Sequence, residues 1–332
     1  MKKPAAYWDK LDKDWVQCRL CPHQCKIKPG GEGICRNKVN EGGALFAAHY
    51  GEFTALAMDP MEKKPLYHFY PGRMIFSIGT QGCNLACGFC QNYHLWDGEV
   101  RTDEAMPGKI VGLALREGST AIAYTYNEPF VSFEFVRDTA RLAHESGLKN
   151  VLVTNGFYQP EPFAELLPLI DAMNIDLKSI NDDFYRKLCR GRLEPVLRTI
   201  ETATPRTLVE LTNLIVTGEN DRDEDFEKLT DWVASVNPEM PLHFSAYRPM
   251  HKLRNPSTPE ERLRTAFRIA RRKLHYVYLG NVMLEEGQDS ACPRCGALLV
   301  HRSGYRTRIV ELAGEHCGKC GAKVNFVNEG VC

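Results

Sequence analysis

The sequence has no long apolar run and no excess of charge of either sign. Its 332 residues include 42 basic and 42 acidic side chains, so the formal net charge is zero. Balanced charge gives no electrostatic reason to expect nucleic acid or anionic lipid as the main partner. No stretch approaches the roughly 20 apolar residues that span a bilayer. The N-terminal lysines also lack the apolar core of a secretory signal behind them. We therefore expect a cytoplasmic protein that binds neither nucleic acid nor membrane.

The chain also lacks low-complexity tracts and repeats of fixed period, and its length is too great for one small core. Changes in composition divide it into three parts. Residues 1–72 form a loop-rich, cysteine-rich N-terminal segment, residues 73–285 alternate strand and helix patterns, and residues 286–332 hold two CxxCG knuckles. We expect one large domain with a small module at each end.

Thirteen cysteines are many for a chain without a secretory signal, and their clustering favours metal sites over disulfides. Eleven of them fall into three groups, which are Cys18, Cys21, Cys25 and Cys35; Cys83, Cys87 and Cys90; and Cys292, Cys295, Cys317 and Cys320. The two cysteines outside these groups, Cys189 and Cys332, are interpreted as incidental.

The middle part predicts parallel strands joined by crossover helices, which makes the protein α/β. Seven runs are strand-like: 74–79, 121–126, 150–155, 173–178, 207–216, 241–247 and 275–280. Helical patterns cover 103–118, 132–146, 160–170, 224–236 and 258–274, and in the second of these apolar residues recur at three- and four-residue spacing. The alternatives are a doubly wound open sheet and a full or partial barrel.

Polar residues at successive strand ends favour the barrel. The first strand leads into the three-cysteine loop, and later strands end near Glu128, Thr154-Asn155, Asp176 and Lys178. In a parallel barrel these ends converge on the face that carries the active site. We predict a partial (β/α)6 TIM-like barrel.

The loop TQGCNLACGFCQN, residues 80–92, gathers three thiols and no fourth. Structural zinc uses four ligands, whereas a [4Fe–4S] cluster held by three cysteines keeps one iron open. Gly82, Ala86 and Gly88 keep the loop small, so that backbone N–H groups can reach the sulfides. The alternative is a zinc site completed by a distant ligand such as His94.

This loop resembles the CxxxCxΦC signature of radical S-adenosylmethionine (SAM) enzymes, with Phe89 as the aromatic residue. The resemblance implies that the open iron binds SAM, and that reductive cleavage yields a 5′-deoxyadenosyl radical that abstracts hydrogen from a substrate. It also implies SAM contacts at the residues that match other family segments, which are Gly82, Glu128, Thr154, Asn155, Asp176, Lys178 and His243. Two glycines of the family pattern are replaced here by Tyr126 and Asn127.

Each of these residues also has a structural interpretation. Glu128 before a proline suits a helix N-terminus, Lys178 suits a solvated strand end, and His243 suits a hydrogen-bonded core position. Their order along successive strands favours the functional interpretation.

The two flanking cysteine groups predict closed metal sites. For Cys18, Cys21, Cys25 and Cys35 we expect structural zinc, with an auxiliary iron–sulfur cluster as the alternative and His23 as a substitute ligand. The C-terminal knuckles predict a zinc-ribbon or rubredoxin-like module that holds zinc or iron.

The three parts together resemble the radical SAM component of the AmmeMemoRadiSam system, which is similar to pyruvate formate-lyase activating enzymes. That resemblance implies an external electron donor such as flavodoxin or ferredoxin, and Memo-type and AMMECR-type companion proteins. The implied target is a glycine of a partner protein, to be made a glycyl radical, or a small molecule. The competing hypothesis from another class is a zinc- or iron-binding scaffold without catalysis.

Overall fold

A computed structural model describes residues 1–96 and 100–328, so Cys332 lies outside the described residues. Its centre is a sheet of eight strands whose spatial order follows the chain order. The strands are β1 (Ala55–Pro60), β2 (Met74–Gly79), β3 (Ala121–Tyr124), β4 (Lys149–Thr154), β5 (Ala172–Asp176), β6 (Leu208–Ile215), β7 (Leu242–Ala246) and β8 (Val277–Gly280).

Strands β2 to β8 are parallel, and β1 pairs antiparallel with β2 at one edge. Every residue of β3 and of β7 is buried, as expected for parallel strands covered on both faces. All seven predicted strands are therefore present. The parallel strands β2 to β8 number seven, one more than the predicted (β/α)6 barrel contains. Closure of the sheet into a partial barrel stays a prediction.

In the described residues, six α-helices of seven or more residues connect the parallel strands: α1 (Pro107–Arg116), α2 (Phe133–Glu145), α3 (Pro160–Leu166), α4 (Leu193–Ala203), α5 (Asp223–Val236) and α6 (Glu260–Ala270). Helix α2 buries the predicted stripe of Phe133, Val136, Ala140 and Ala143. Helix α4 was missed by the sequence pattern. Its Pro195 lies in the first turn, where the missing N–H has no intrahelical partner to lose.

The N-terminal residues form small sheets that pack beside the main sheet. One sheet contains Lys3–Pro4, Lys38–Glu41 and Ala44–Ala47, and another contains Trp8–Lys10, Val16–Cys18 and Lys26–Ile27. Glu52–Phe53 pairs with Asp103–Glu104. Strand β1 also lies within the segment predicted as N-terminal, although it belongs to the main sheet.

The C-terminal residues form two short hairpin units. One comprises Ser290–Ala291, Leu298–Ser303 and Arg306–Ile309, and the other comprises Leu312–Ala313 and His316–Cys317. The module packs on the main domain through Arg302, which donates to the carbonyl oxygen of Tyr67 at 2.6 Å. Within the described ranges, no helix is long and apolar enough to cross a membrane.

Candidate active site

The cysteine loop, residues 80–92, follows β2 at the carboxyl end of the parallel strands. Two of its sulfurs accept hydrogen bonds from nearby N–H groups. The backbone N–H of Leu85 donates to Cys83 Sγ at 3.4 Å, and Trp96 Nε1 donates to Cys90 Sγ at 3.3 Å. Donors directed at sulfur stabilise thiolates as metal ligands.

The three thiols of this loop are widely spaced. In residues 1–96 and 100–328, the C-terminal cysteines alone bring three or more His, Cys, Asp or Glu ligand atoms within 4.8 Å of one another. Cys83, Cys87, Cys90 and His94 do not form such a group. The ligand atoms of one zinc ion lie closer together than the thiols of this loop. The spacing of these thiols therefore disfavours zinc and suits a larger metal group.

Asn127 anchors the cysteine loop to the end of β3. Its Oδ1 accepts from the backbone N–H of Thr80 at 3.0 Å, and its Nδ2 donates to the carbonyl oxygen of Gly82 at 2.9 Å. The preceding Tyr126 has φ 71°, a left-handed conformation that glycine adopts at lower cost. Its ring lies 4.2 Å from Lys64 Nζ, and its hydroxyl donates to Asp59. These contacts hold the left-handed backbone without the glycines of the family pattern.

A fourth thiol, Cys189, lies beside the loop and close to Cys87. This neighbouring thiol and the charge of Lys178 outweigh burial and lower the pKa of Cys87. The backbone of the same turn holds the loop, since the carbonyl oxygens of Cys189 and Leu188 accept from the N–H groups of Ala86 and Gly88. The interpretation of Cys189 as incidental is therefore corrected.

Glu128 is buried at the end of β3 and joins two strand ends. Its carboxylate accepts from the backbone N–H of Phe130 at 3.0 Å, from the backbone N–H of Asn155 at 2.8 Å, and from Thr154 Oγ1 at 2.9 Å. Burial raises the pKa of Glu128 to about 7 in spite of these donors. The bond from Phe130 caps the short turn Pro129–Ser132, so the helix-capping role considered from the sequence is present.

Asn155 connects this carboxylate to the cysteine loop. Besides donating its backbone N–H to Glu128, it donates from Nδ2 to Asn84 Oδ1 at 2.8 Å and to Cys83 Sγ at 3.8 Å. Glu128 and a predicted cluster ligand thus share one asparagine as a neighbour.

Asp176 and Lys178 lie at the end of β5, on the other side of the loop. Lys178 Nζ donates to Asp176 Oδ2 at 3.0 Å and lies 5.9 Å from the ring centre of the buried Phe89. Burial opposes the charge of Lys178, but Asp176 and the Cys87 thiol together raise its pKa above the usual value. Lys178 is therefore a largely shielded cation at the loop, with 13% of its side chain exposed, and not the solvated lysine considered as its structural interpretation.

His243 has its own buried partner. Its Nε2 lies 2.7 Å from Glu210 Oε2, and Tyr67 and Tyr278 flank its ring. The same glutamate accepts from the backbone N–H groups of Tyr67 and His68. These contacts describe a hydrogen-bonded core histidine, and its predicted place near the SAM ribose stays a prediction.

The N-terminal cysteines Cys18, Cys21, Cys25 and Cys35 line one cavity and form the N-terminal thiol cage. His23 also lines this cavity, and its Nε2 lies 2.7 Å from the carbonyl oxygen of Asn84 in the cysteine loop. Gly82 packs on the cage, since a Cβ there would lie 2.4 Å from the carbonyl oxygen of Cys35. The left-handed φ of 98° at Gly82 adds a second reason for glycine.

The C-terminal cysteines form a compact group whose four sulfurs lie within 4.8 Å of one another. Cys292 Sγ lies 3.7 Å from Cys320 Sγ, and Cys295 Sγ lies 3.7 Å from Cys317 Sγ. Four thiolates about 2.3 Å from one ion are about 3.8 Å apart at tetrahedral geometry. The group therefore fits a single zinc or iron ion.

Sequence comparison places these residues in a known family. The Radical SAM superfamily profile matches residues 77–233, which contain the cysteine loop, Glu128, Asp176 and Lys178. Residues 77–233 belong to the radical SAM superfamily. An uncharacterized protein of Methanocaldococcus jannaschii is 43% identical over 98% of this chain and 99% of its own length.

Two further comparisons concern characterised relatives and the fold. The pyruvate formate-lyase 1-activating enzyme of Escherichia coli is 26% identical over 52% of this chain and 73% of its own length. The crystal structure of a radical SAM methyltransferase from Sphaerobacter thermophilus matches with a TM-score of 0.52 and 18% identity, over 84% of this chain and 76% of that one. The latter shows a shared radical SAM fold.

Membership implies a [4Fe–4S] cluster and SAM, and the general reaction of the superfamily is SAM cleavage to a radical. The residues present fit these groups, because the loop offers three spaced thiols with N–H donors at sulfur and polar side chains gather around it. Sequence reasoning missed Asn127, Cys189 and the His243–Glu210 pair. The hydrogen-bonding roles of these residues were not readable from the sequence.

Proposed function

We propose that this chain is an activating-enzyme-like radical SAM enzyme. In this proposal Cys83, Cys87 and Cys90 hold the [4Fe–4S] cluster and leave one iron open for SAM. When bound, the cluster supplies the electron that cleaves SAM to a 5′-deoxyadenosyl radical. The protein residues bind and orient the nucleotide and exclude water from it.

The observation that carries the proposal is the link from Cys83 through Asn155 to Glu128. Asn155 contacts Cys83 Sγ at 3.8 Å and Glu128 at 2.8 Å, so a buried carboxylate lies one residue away from a cluster ligand. A nearby cation stabilises the charged form of a buried carboxylate whose pKa is raised, as that of Glu128 is. The ammonium group of SAM is such a cation, and Glu128 is proposed to receive it with Thr154 and Asn155 as supports.

Lys178 is proposed to receive the SAM carboxylate. It is held as a partly buried cation by Asp176 and lies near Phe89 and Cys87. A charge-assisted N⁺–H···O⁻ bond is about twice as strong as a neutral one in such a setting. Gly82 contributes by allowing the loop to lie close to its neighbours.

The proposed target is a glycine in a partner protein, which would become a glycyl radical. Similarity to an enzyme named as a pyruvate formate-lyase activating enzyme supports this assignment. Memo-type and AMMECR-type proteins are the proposed companions, and flavodoxin or ferredoxin is the proposed electron donor.

Small-molecule modification is a second candidate because of one cavity. A space of about 320 Å³ lies at the ends of β7 and β8 against the C-terminal module, with His243, Arg248 and Tyr305 among its lining residues. This volume is at the lower end of the range for small-ligand sites. The C-terminal thiol group is proposed to belong to a zinc-ribbon module and to hold structural zinc.

The test is anaerobic reconstitution of the full chain with iron and sulfide, followed by incubation with SAM and dithionite. We expect dithionite-dependent 5′-deoxyadenosine, and we expect Cys87→Ala to abolish it. Cys332→Ala serves as the matched cysteine control because Cys332 belongs to none of the three groups. Continued SAM cleavage by Cys87→Ala would exclude the proposed cluster site.

A further inference from the structure

We infer that the N-terminal thiol cage holds a second [4Fe–4S] cluster, next to the SAM-binding site, and not the structural zinc that the sequence favours. Four thiols of this cage, Cys18, Cys21, Cys25 and Cys35, face one cavity. Their spacing, the charge of their surroundings and their position against the cysteine loop each support this assignment.

Spacing separates the two four-cysteine groups of the molecule. The C-terminal sulfurs lie within 4.8 Å of one another, with two pairs at 3.7 Å, as one tetrahedral ion requires. In the described part of the chain, no three sulfurs of the N-terminal thiol cage reach this compact arrangement. The three thiols of the cysteine loop do not reach it either. Neither the cage nor the cysteine loop therefore has the spacing of the single-ion site.

The four cage thiols are free to bind a metal group. All four cysteines are free thiols, so no disulfide occupies them, and together they line one cavity. Four cysteines can bind the four irons of one [4Fe–4S] cluster.

The walls of the cavity suit a thiolate-bound cluster with net negative charge. Apolar side chains of Leu20, Phe130 and Val131 line it together with the buried ammonium group of Lys38. Lys38 Nζ is fixed by Glu134 Oε2 at 2.7 Å and by the carbonyl oxygen of Val131 at 2.9 Å. A fixed cation beside thiolates stabilises their negative charge in a low-dielectric site.

The cage contacts the cysteine loop directly at two points. The carbonyl oxygen of Cys35 lies so close to Gly82 that a Cβ would approach it to 2.4 Å, and Gly82 precedes the cluster ligand Cys83. His23, between Cys21 and Cys25, lies 2.7 Å from the carbonyl oxygen of Asn84, which follows Cys83. The two clusters are therefore neighbours across a wall of one or two residues.

Four cysteine ligands leave no open iron for SAM or substrate, so the second cluster serves electron transfer. One electron from a flavodoxin- or ferredoxin-type donor reduces the cage cluster from 2+ to 1+. The cage cluster then returns to 2+ as it reduces the SAM-binding cluster from 2+ to 1+. This transfer role rests on the proposed function, whereas the presence of the second cluster does not.

The test counts acid-labile sulfide, iron and zinc in the reconstituted full chain and in two variants. One variant, Cys83→Ala/Cys87→Ala/Cys90→Ala, removes the loop thiols and leaves the cage intact. The other, Cys21→Ala/Cys35→Ala, removes two cage thiols. We expect about eight sulfides per chain in the parent protein and about four in each variant. The loop variant should also give the electron paramagnetic resonance signal of a reduced [4Fe–4S] cluster.

A loop variant without sulfide and with zinc in place of iron at the cage overturns the inference. That variant decides the question even when the cage variant fails to fold. Sulfide in the loop variant combined with a parent protein that does not cleave SAM keeps the second cluster and refutes the proposed function, so the two failures are distinguishable.

Discussion

Asn127 Nδ2 donates a hydrogen bond to the carbonyl oxygen of Gly82 at 2.9 Å, and this bond ties the end of β3 to the cysteine loop. The same side chain accepts from the N–H of Thr80 at 3.0 Å. A position where the family pattern has glycine therefore carries a loop anchor in this chain. The anchor leads to the first prediction.

Substituting Asn127 should loosen the cysteine loop. Asn127→Ala leaves the Thr80 N–H and the Gly82 carbonyl without partners, which costs about 1–3 kcal/mol for each buried group. Asn127→Asp keeps the acceptor for Thr80 and loses the donor to Gly82, so its effect should be smaller. The measurement is cluster iron retained after gel filtration. Full retention by Asn127→Ala would show that the loop is held by other contacts.

Substituting Lys178 should weaken SAM binding. Lys178→Met keeps the length of the side chain and removes the cation, and a lost hydrogen bond to a charged group of about 1.5–3 kcal/mol predicts roughly 10- to 100-fold weaker binding. Lys187→Met is the matched control, because Lys187 is exposed and pairs only at the surface with Asp183. Equilibrium dialysis of labelled SAM measures both, and equal affinities for the two variants would remove Lys178 from the site.

Cys189 should tune the cluster without holding it. Cys189→Ala removes the S–H donor that lies beside Cys87, and hydrogen bonds to cluster sulfurs raise the reduction potential. One bond of about 1 kcal/mol corresponds to a decrease of at most about 40 mV for one electron. A redox titration followed by electron paramagnetic resonance measures this decrease in potential. The iron content of the variant should equal that of the parent protein. Loss of iron would instead identify Cys189 as a ligand.

Acid should destabilise the junction between the main domain and the C-terminal module through His68. The ring is buried, with Nδ1 2.5 Å from the carbonyl oxygen of Asn325 and Nε2 2.7 Å from the hydroxyl of Tyr278, and burial lowers its pKa to about 3. The unfolded chain takes up this proton near pH 6.5, so stability is full above that pH and is lost as the pH falls towards 3.

The expected loss from this group between pH 7.5 and pH 5.5 is about 1.4 kcal/mol. Urea unfolding of the metal-loaded protein at the two pH values measures it. His68→Gln should be less stable at pH 7.5 and should lack this part of the pH dependence. Parallel pH profiles for the two proteins would contradict the assignment.

Much of the fold was predictable because its strands are short apolar runs that end in polar residues. The seven parallel strands follow from this pattern, and the buried stripe of α2 follows from its period. Helix α4 was not predictable in the same way, because its first turn contains Pro195 and the preceding residues are charged and glycine-containing. Strand β1 was missed because its pairing with β2 depends on a distant segment.

Individual cluster ligands and strand-end residues could be named from the sequence, but their partners could not. Cys189 looked incidental since only the folded turn brings it to Cys87. Asn127 looked like a departure from a pattern because its two bonds join segments 45 and 47 positions away. The cage chemistry also required coordinates, because CxxC-type spacing in the sequence fits one ion and a cluster equally well.

The most direct test of the account measures whether SAM occupies the open iron. Electron–nuclear double resonance of the reduced protein, with SAM labelled in its amino nitrogen and its carboxylate oxygen, reports contact between these atoms and the cluster. We predict hyperfine couplings from both labels in the parent protein and none in Cys83→Ala/Cys87→Ala/Cys90→Ala. A parent protein whose loop-bound [4Fe–4S] cluster is reduced and shows neither coupling would contradict the central claim.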